Sequence, residues 1–203
     1  MATLNLQVEA SGGDVIHISN HSFSTNSALF NSGQPVAGIG RDAAARFDDV
    51  TVPAGSTIVS CHLTLTSDRN GQTSSAVNTN LRFEAADDPA AIANDTDWHT
   101  RSLGDPVAWD GIESVDVDDE FTSPDLASIL QAVIDRGGWA SGQALQLFWL
   151  EDGSSVGASR IAYSFDASET KAPKLAIEYT EPGAGGLAPA VALYHARHHN
   201  RSA

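Results

Sequence analysis

Apolar and polar residues alternate along most of this chain, and a period of two is the pattern of strands that bury one face. The alternation is clearest over residues 4–8, 59–65, 81–85, 145–149 and 175–179. Between these segments lie clusters rich in glycine, proline, aspartate or serine, which favour turns, at residues 11–14, 53–55, 68–71 and 152–155. The pattern predicts an all-β fold, a two-layer sandwich of antiparallel strands.

One segment departs from this alternation and predicts a helix over residues 124–136. Its apolar residues recur three or four positions apart and form a single stripe: Leu126, Ile129, Leu130, Val133 and Ile134. Ser123 is suited to cap the helix, Pro124 to its first position, and Gly137 follows its end. We expect the helix to pack on the end of the sandwich. Residues 87–110 lack periodicity and predict a long loop with a short strand at 107–109.

Length and charge divide the chain into two parts. The 203 residues are enough for one domain with a sizeable core, which we assign to residues 1–181. Residues 182–203 predict a Gly/Pro linker and a basic tail, since residues 187–203 contain two arginines and no acidic residue. Residues 1–186 contain the remaining 9 of the 11 basic residues and all 26 acidic residues, which gives this part a formal charge of −17. Such a body is unsuited to binding nucleic acid, which requires basic side chains.

The tail predicts a docking segment. Leu193 and Tyr194 would anchor it through apolar and aromatic contacts, while Arg197 and Arg201 would donate hydrogen bonds to carboxylates of an acidic neighbour. The candidate partner-binding residues are Leu193, Tyr194, His195, Arg197, His198 and Arg201. Two alternatives stay open: the tail has no function, or its three histidines, His195, His198 and His199, chelate a transition metal.

The N-terminus has neither a basic start nor a continuous apolar run, so no export signal is expected. Since no segment approaches 18 consecutive apolar residues, no membrane contact is expected either. The lone Cys61 cannot form an internal disulfide and falls at an apolar position of its predicted strand, which indicates a buried thiol.

Several short segments of the chain, taken in order, resemble those of a known family. They are residues 45–58 (ARFDDVTVPAGSTI), 83–88 (FEAADD), 107–109 (VAW), 123–126 (SPDL), 133–142 (VIDRGGWASG) and 172–179 (APKLAIEY). Their order and spacing resemble the DNRLRE-type modules over residues 14–180. These modules are jelly-roll β-sandwiches found in microbial surface proteins and in structural proteins of tailed phages, and some of them bind polysaccharides.

The resemblance implies a jelly-roll sandwich and a non-enzymatic role. Together with the tail it predicts an external virion module, such as a capsid decoration protein, assembled in the host cytoplasm. Its expected partners are capsid or tail proteins and copies of itself. The alternative is a carbohydrate-binding module that attaches a particle or a partner enzyme to a surface glycan. A hydrolase is a third and distant reading, because glycoside hydrolysis needs a placed pair of carboxylates.

No segment has the context of a catalytic motif, and no cofactor or metal is expected. His17, His21, His62 and His99 lack short ligand spacing and are interpreted as ordinary surface or half-buried side chains. Trp98 lies in the predicted loop and is the candidate ring for stacking on a sugar, whereas the other three tryptophans are assigned to packing. Four acidic residues, Asp116, Asp118, Asp119 and Glu120, indicate either a solvated loop or a calcium site.

Overall fold

The computed structural model describes residues 1–20, 22–70 and 75–183. Within these ranges the chain forms twelve strands and two helices, which confirms the all-β prediction. The strands are β1 (Ala2–Gln7), β2 (Asp14–Ile18), β3 (Ser22–Ser24), β4 (Leu29–Val36), β5 (Ile39–Val50), β6 (Thr57–Thr66), β7 (Asn78–Phe83), β8 (Val107–Asp110), β9 (Glu120–Thr122), β10 (Gln143–Glu151), β11 (Ala158–Tyr163) and β12 (Lys174–Thr180). The helices are α1 (Asp95–Thr100) and α2 (Ala127–Ile134).

The strands form two antiparallel sheets with jelly-roll connectivity. One sheet has the order β1-β12-β6-β9, and the other contains the run β5-β10-β7-β8. These eight strands, in two four-stranded sheets with this order, are the two interleaved Greek keys of a jelly roll. The second sheet grows to eight strands because β4 and β11 continue it beyond β5, while β2 pairs with β5 and with β3.

Alternation places one side of each strand in the core, as β12 shows, where Leu175, Ile177 and Tyr179 are buried. In β6 the alternation is interrupted. The pairing of β6 with β12 shifts by one residue between Glu178 and Tyr179, so that Ile58 is buried while Val59 is 40% exposed. The expectation that Val59 shares the buried side of its strand is therefore wrong, because a bulge reverses the side-chain direction there.

Aromatic side chains fill the centre of the sandwich. Trp149 is fully buried, and its ring centroid lies 5.8 Å from that of Phe30 and 5.6 Å from that of Trp109. Its indole N–H donates to Thr79 Oγ1 at 2.9 Å, and the Thr79 hydroxyl donates in turn to the carbonyl of Trp109 at 3.0 Å. Burial of this indole therefore leaves its polar atom satisfied. The predicted packing roles of Trp109, Trp139 and Trp149 and the burial of Cys61 are confirmed.

The predicted helix exists as α2, but it begins three residues later than expected. Its apolar stripe is buried as predicted. Ser123 does not cap the helix, because its Oγ accepts a hydrogen bond from the Leu63 amide at 3.0 Å and so holds the approaching chain against β6. Asp125 Oδ1 instead accepts from the amides of Ala127 and Cys61, both at 2.9 Å. Neither helix in the described ranges is long and apolar enough to cross a membrane.

The prediction of a long loop over residues 87–110 is partly wrong. The strand expected at 107–109 is present as β8, but the loop also contains α1. Asn94 caps this helix, since its side-chain oxygen accepts from the Asp97 amide at 3.0 Å. A helix of six residues is too short to show a periodic apolar pattern, so periodicity could not predict α1.

Candidate functional site

The predicted docking residues of the tail lie outside the described residues, and so does His21. The described chain ends just after β12, with Glu181, Pro182 and Gly183 exposed. Because β12 lies between β1 and β6, residues after Thr180 leave the four-stranded sheet from an inner strand. They leave next to the β5–β6 turn, where a Cβ built on Gly55 would lie 3.7 Å from Pro182 Cβ.

A second hydrophobic cluster covers the outer face of the eight-stranded sheet. Its buried members come from β2, β5, β10, α1 and the chain before α1: Val15, Ala44, Phe148, Trp98 and Ile92. We call this surface with its covering segment the covered face. Burial on both sides is clearest in β10, where Leu147 and Trp149 point into the sandwich and Phe148 points into the second cluster.

Trp98 lies inside this cluster. It is only 8% exposed, so the expectation that it offers an open ring to a sugar is wrong. Its ring centroid lies 4.8 Å from that of Phe148, and on another side it stacks on His17, with centroids 5.0 Å apart and planes 10° apart. Both contacts come from the sheet beneath α1, so Trp98 fastens α1 to β2 and β10.

His17 lies in β2 at the edge of this cluster, and its side chain is 5% exposed. Each ring nitrogen faces a carboxylate: Nε2 is 3.0 Å from Asp95 Oδ1, and Nδ1 is 3.6 Å from Asp42 Oδ2. Burial by itself lowers the pKa of His17, but the two neighbouring carboxylates outweigh burial and raise this pKa above its usual 6.5. The site is therefore a buried ring held between two acids.

His99 completes the group from the other end of α1. It follows Asp95 by four residues, one helical turn, and its Nε2 lies 3.5 Å from the same Asp95 oxygen. The rings of His17 and His99 meet edge to face with centroids 5.0 Å apart. One ligand atom from each of His17, Asp95 and His99 falls within 4.8 Å of the other two. We call these three residues the His–Asp cluster.

The interpretation of His17 as an ordinary surface or half-buried side chain is therefore wrong, because its side chain is only 5% exposed, whereas the His99 side chain is 52% exposed as interpreted. The contact between the two rings was not predicted. His17 and Asp95 are 78 residues apart in the chain, a separation that no local spacing reveals. The only sequence signal was the pair Asp95 and His99 at i and i+4, which has meaning only if residues 95–100 are helical. His62, by contrast, lies on β6 and contacts the carbonyl of Ser123 through Nδ1 at 3.1 Å.

Arg101 holds α1 in place. Its guanidinium lies 2.7 Å from Asp97 Oδ2 and 3.1 Å from Glu84 Oε2, and it donates to the carbonyl of Ala90 at 2.9 Å. Hydrogen bonding to Arg101 lowers the pKa of Asp97. Burial raises the pKa of Glu84, although Arg101 opposes this effect. Since Glu84 follows β7 directly, the ion pairs connect α1 to the sheet and fix the positions of Asp95 and His99.

The outer face of the four-stranded sheet is different. Neither hydrophobic cluster of the described residues extends over it, and we call it the open face. A groove of about 520 Å³ lies on it, lined mainly by polar side chains: Asn5, Gln7, Glu9, Thr64, Glu120 and Lys174. Lys174 Nζ lies 2.8 Å from Glu120 Oε1 across the groove.

The acidic loop considered as a calcium site lies close to both lysines of the chain. Asp118 Oδ1 accepts from Lys171 Nζ at 2.6 Å and from the Tyr163 hydroxyl at 3.1 Å. The lysine contact lowers the pKa of Asp118. Since Glu120 is paired with Lys174, two of the four carboxylates have a cation as a neighbour. This geometry favours an ion-paired, solvated loop over an oxygen cage for calcium.

No protein-family model matches this chain, and no curated protein is significantly similar to it.

Proposed function

We infer that this protein is a non-enzymatic structural module on the outside of a virion, held there by residues 187–203. The observation that carries this proposal is the completeness of the sandwich without that segment. The last core residue in the described ranges is Tyr179, and residues 181–183 are exposed. Since the core of the described residues ends at Tyr179, we assign the basic tail to binding a partner.

The distribution of charge also supports docking of the tail on another protein. The body carries a formal charge of −17 over residues 1–186, whereas residues 187–203 contain Arg197 and Arg201 and no acid. A basic segment attached to an acidic body is complementary to a neighbouring copy or to another acidic structural protein. The jelly-roll sandwich agrees with the family resemblance, although fold alone does not establish function.

Charge reversal in the tail tests this proposal. We expect the double variant Arg197→Glu with Arg201→Glu to be incorporated into particles less than the wild-type chain. The defect is expected to be larger at low salt, because exposed ion pairs are screened as ionic strength rises. The measurement is the amount of this chain that copurifies with particles at two salt concentrations.

A matched control changes the same charge elsewhere on the surface. Arg69→Glu with Arg136→Glu alters two exposed or half-exposed arginines of the sandwich, which contact Asp68 and Asp87. This control variant is expected to be incorporated normally. Equal incorporation of both double variants at low salt contradicts a docking role for the tail.

A carbohydrate-binding module is the second candidate, and the groove on the open face favours it. Amide and hydroxyl side chains such as Asn5 and Thr64 hydrogen-bond sugar hydroxyls well, and the groove is accessible across several strands. The ring expected to stack on a sugar, Trp98, is buried on the opposite face. Binding in this groove would therefore depend on hydrogen bonds.

A glycan array probed with the wild type, Asn5→Ala and Thr3→Ala tests the second candidate. Thr3 lies two residues from Asn5 on the same side of β1 and does not line the groove. If the groove binds polysaccharide, only Asn5→Ala lowers the signal. The absence of any wild-type signal excludes this candidate for the glycans on the array.

A further inference from the structure

We propose that the His–Asp cluster binds one divalent transition-metal ion of the Zn²⁺ class and that the ion fastens α1 to β2. The cluster supplies two imidazole nitrogens and one carboxylate oxygen, all within 4.8 Å of one another. Imidazole with a carboxylate is a donor set suited to Zn²⁺, Co²⁺ or Ni²⁺, whereas Ca²⁺ and Mg²⁺ prefer oxygen donors alone. This site is separate from the proposed docking tail.

The spacing of the donor atoms agrees with a tetrahedral ion. With Zn–N and Zn–O bonds of about 2.0–2.2 Å, tetrahedral geometry puts neighbouring donor atoms about 3.4 Å apart. Asp95 Oδ1 lies 3.0 Å from His17 Nε2 and 3.5 Å from His99 Nε2. The third pair, the two imidazole nitrogens, lies within 4.8 Å, so the two rings must approach one another where this separation exceeds about 3.4 Å.

His17 is oriented in advance by groups that do not touch the ion. Its ring is stacked on Trp98, and its side chain is 95% buried, since 5% is exposed. Its buried Nδ1 makes no hydrogen bond, although Asp42 Oδ2 lies 3.6 Å away. The other Asp42 oxygen accepts from the Glu151 amide at 2.7 Å, so this carboxylate is itself fixed.

An ion on Nε2 accounts for this arrangement. Histidines that bind metals usually donate their other ring N–H to a carboxylate, which fixes the tautomer and strengthens the ligand. With a metal on Nε2, the proton of neutral His17 belongs on Nδ1, where a slight closure brings it to Asp42. Asp42 is therefore assigned as a positioning residue for His17.

The exposure of the other two ligands leaves a route for the ion. The His99 side chain is 52% exposed and that of Asp95 is 29% exposed, whereas His17 closes the inner side. Water can then complete the coordination from the solvent side. Because His17 belongs to β2 and the other two ligands to α1, an ion at this position joins the covering helix to the sheet.

Titration of the full-length chain with ZnCl₂ tests the proposal. His195, His198 and His199 are replaced by alanine in every sample, so that tail histidines do not contribute. The expected result is one equivalent of Zn²⁺ bound, with a rise in melting temperature, since the ion binds the folded state. Visible absorption of bound Co²⁺ reports whether the coordination is tetrahedral.

Two single variants localise the ion. His99→Ala removes an exposed ligand without opening the core and is expected to weaken Zn²⁺ binding by about tenfold or more, a scale comparable to the loss of a supporting group. His62→Ala is the matched control, because His62 lies on β6 and outside the cluster; its Zn²⁺ affinity is expected to equal that of the parent. No Zn²⁺ binding by the parent, or equal binding by the two variants, overturns the proposal.

Asp42→Asn tests the positioning role. We expect Zn²⁺ affinity to fall by about tenfold while the melting temperature without metal stays near that of the parent, because the amide oxygen still accepts from Glu151. If the Zn²⁺ affinity of this variant is unchanged, Asp42 does not position His17. The three-ligand assignment is then tested by His99→Ala alone.

Discussion

The two outer faces of this sandwich are built from the same kind of strand but have different environments. On the covered face, α1 and the chain before it bury a second hydrophobic cluster that contains Phe148 and Trp98, with His17 at its edge. On the open face the groove is lined mainly by polar side chains, as Asn5 and Lys174 illustrate. Side chains that could bind a ligand lie together where packing fixes a surface segment, because burial orients side chains that would otherwise move in solvent.

Both faces depend on the core between them, so the largest effect is expected from a charge placed there. Leu130→Asp buries a carboxylate in the fully buried stripe of α2 and is expected to prevent soluble expression. Ala132→Asp, at an exposed position of the same helix, is the matched control and is expected to express normally. A soluble Leu130→Asp protein with the parent's melting temperature contradicts the burial of this stripe.

The covered face should be far more sensitive to truncation than the open face. Trp98→Ala removes the ring that joins α1 to Phe148 and His17, and we expect it to lower the free energy of unfolding by about 3–5 kcal/mol. Asn5→Ala on the open face is expected to change it by less than about 0.5 kcal/mol. Denaturant unfolding measures both, and similar losses in the two variants would remove the contrast.

Asp14, the first residue of β2, is expected to make the stability of the fold depend on pH. Burial raises the pKa of its carboxyl from 3.8 to about 7, although the Phe165 amide donates to it at 2.7 Å. Below about pH 4 the group is protonated in both folded and unfolded chains. As pH rises towards 7 the unfolded chain ionises first, so this group's contribution to stability is lost by pH 7.

The expected loss from Asp14 is up to about 4 kcal/mol between pH 4 and pH 7, at about 1.4 kcal/mol per pH unit. Asp14→Asn removes the ionisation and should flatten this part of the stability profile, whereas Asp110→Asn, at an exposed position, serves as the control. Unfolding free energies at several pH values measure the difference. Parallel profiles for the wild type and Asp14→Asn contradict the raised pKa.

The smallest effect on stability is expected from the tail. Deleting residues 187–203 should change the free energy of unfolding by less than about 0.5 kcal/mol, since the core within the described ranges ends at Tyr179. Thermal unfolding of the truncated and full-length chains measures this. A large loss would mean that the tail packs on the sandwich.

The sequence predicted elements that depend on local patterns and missed those that depend on contacts between distant residues. Strand alternation and the stripe of α2 follow directly from burial on one side, so β12 and α2 were predictable from residues near one another. The bulge at Val59 was not, because it depends on pairing with β12. The covered face was missed for two reasons: α1 is a single short helix, and its contact with His17 joins distant parts of the chain. The apolar Phe148, between Leu147 and Trp149, was the one local sign that β10 is buried on both sides.

A structural role in a virion is tested most directly by counting this chain in purified particles with quantitative mass spectrometry. Particles are prepared with either the full-length chain or a chain that ends at residue 186. We expect many copies of the full-length chain per particle and almost none of the truncated chain, although both are folded. Equal copy numbers would contradict attachment through the tail, and absence of the full-length chain from particles would contradict the structural role itself.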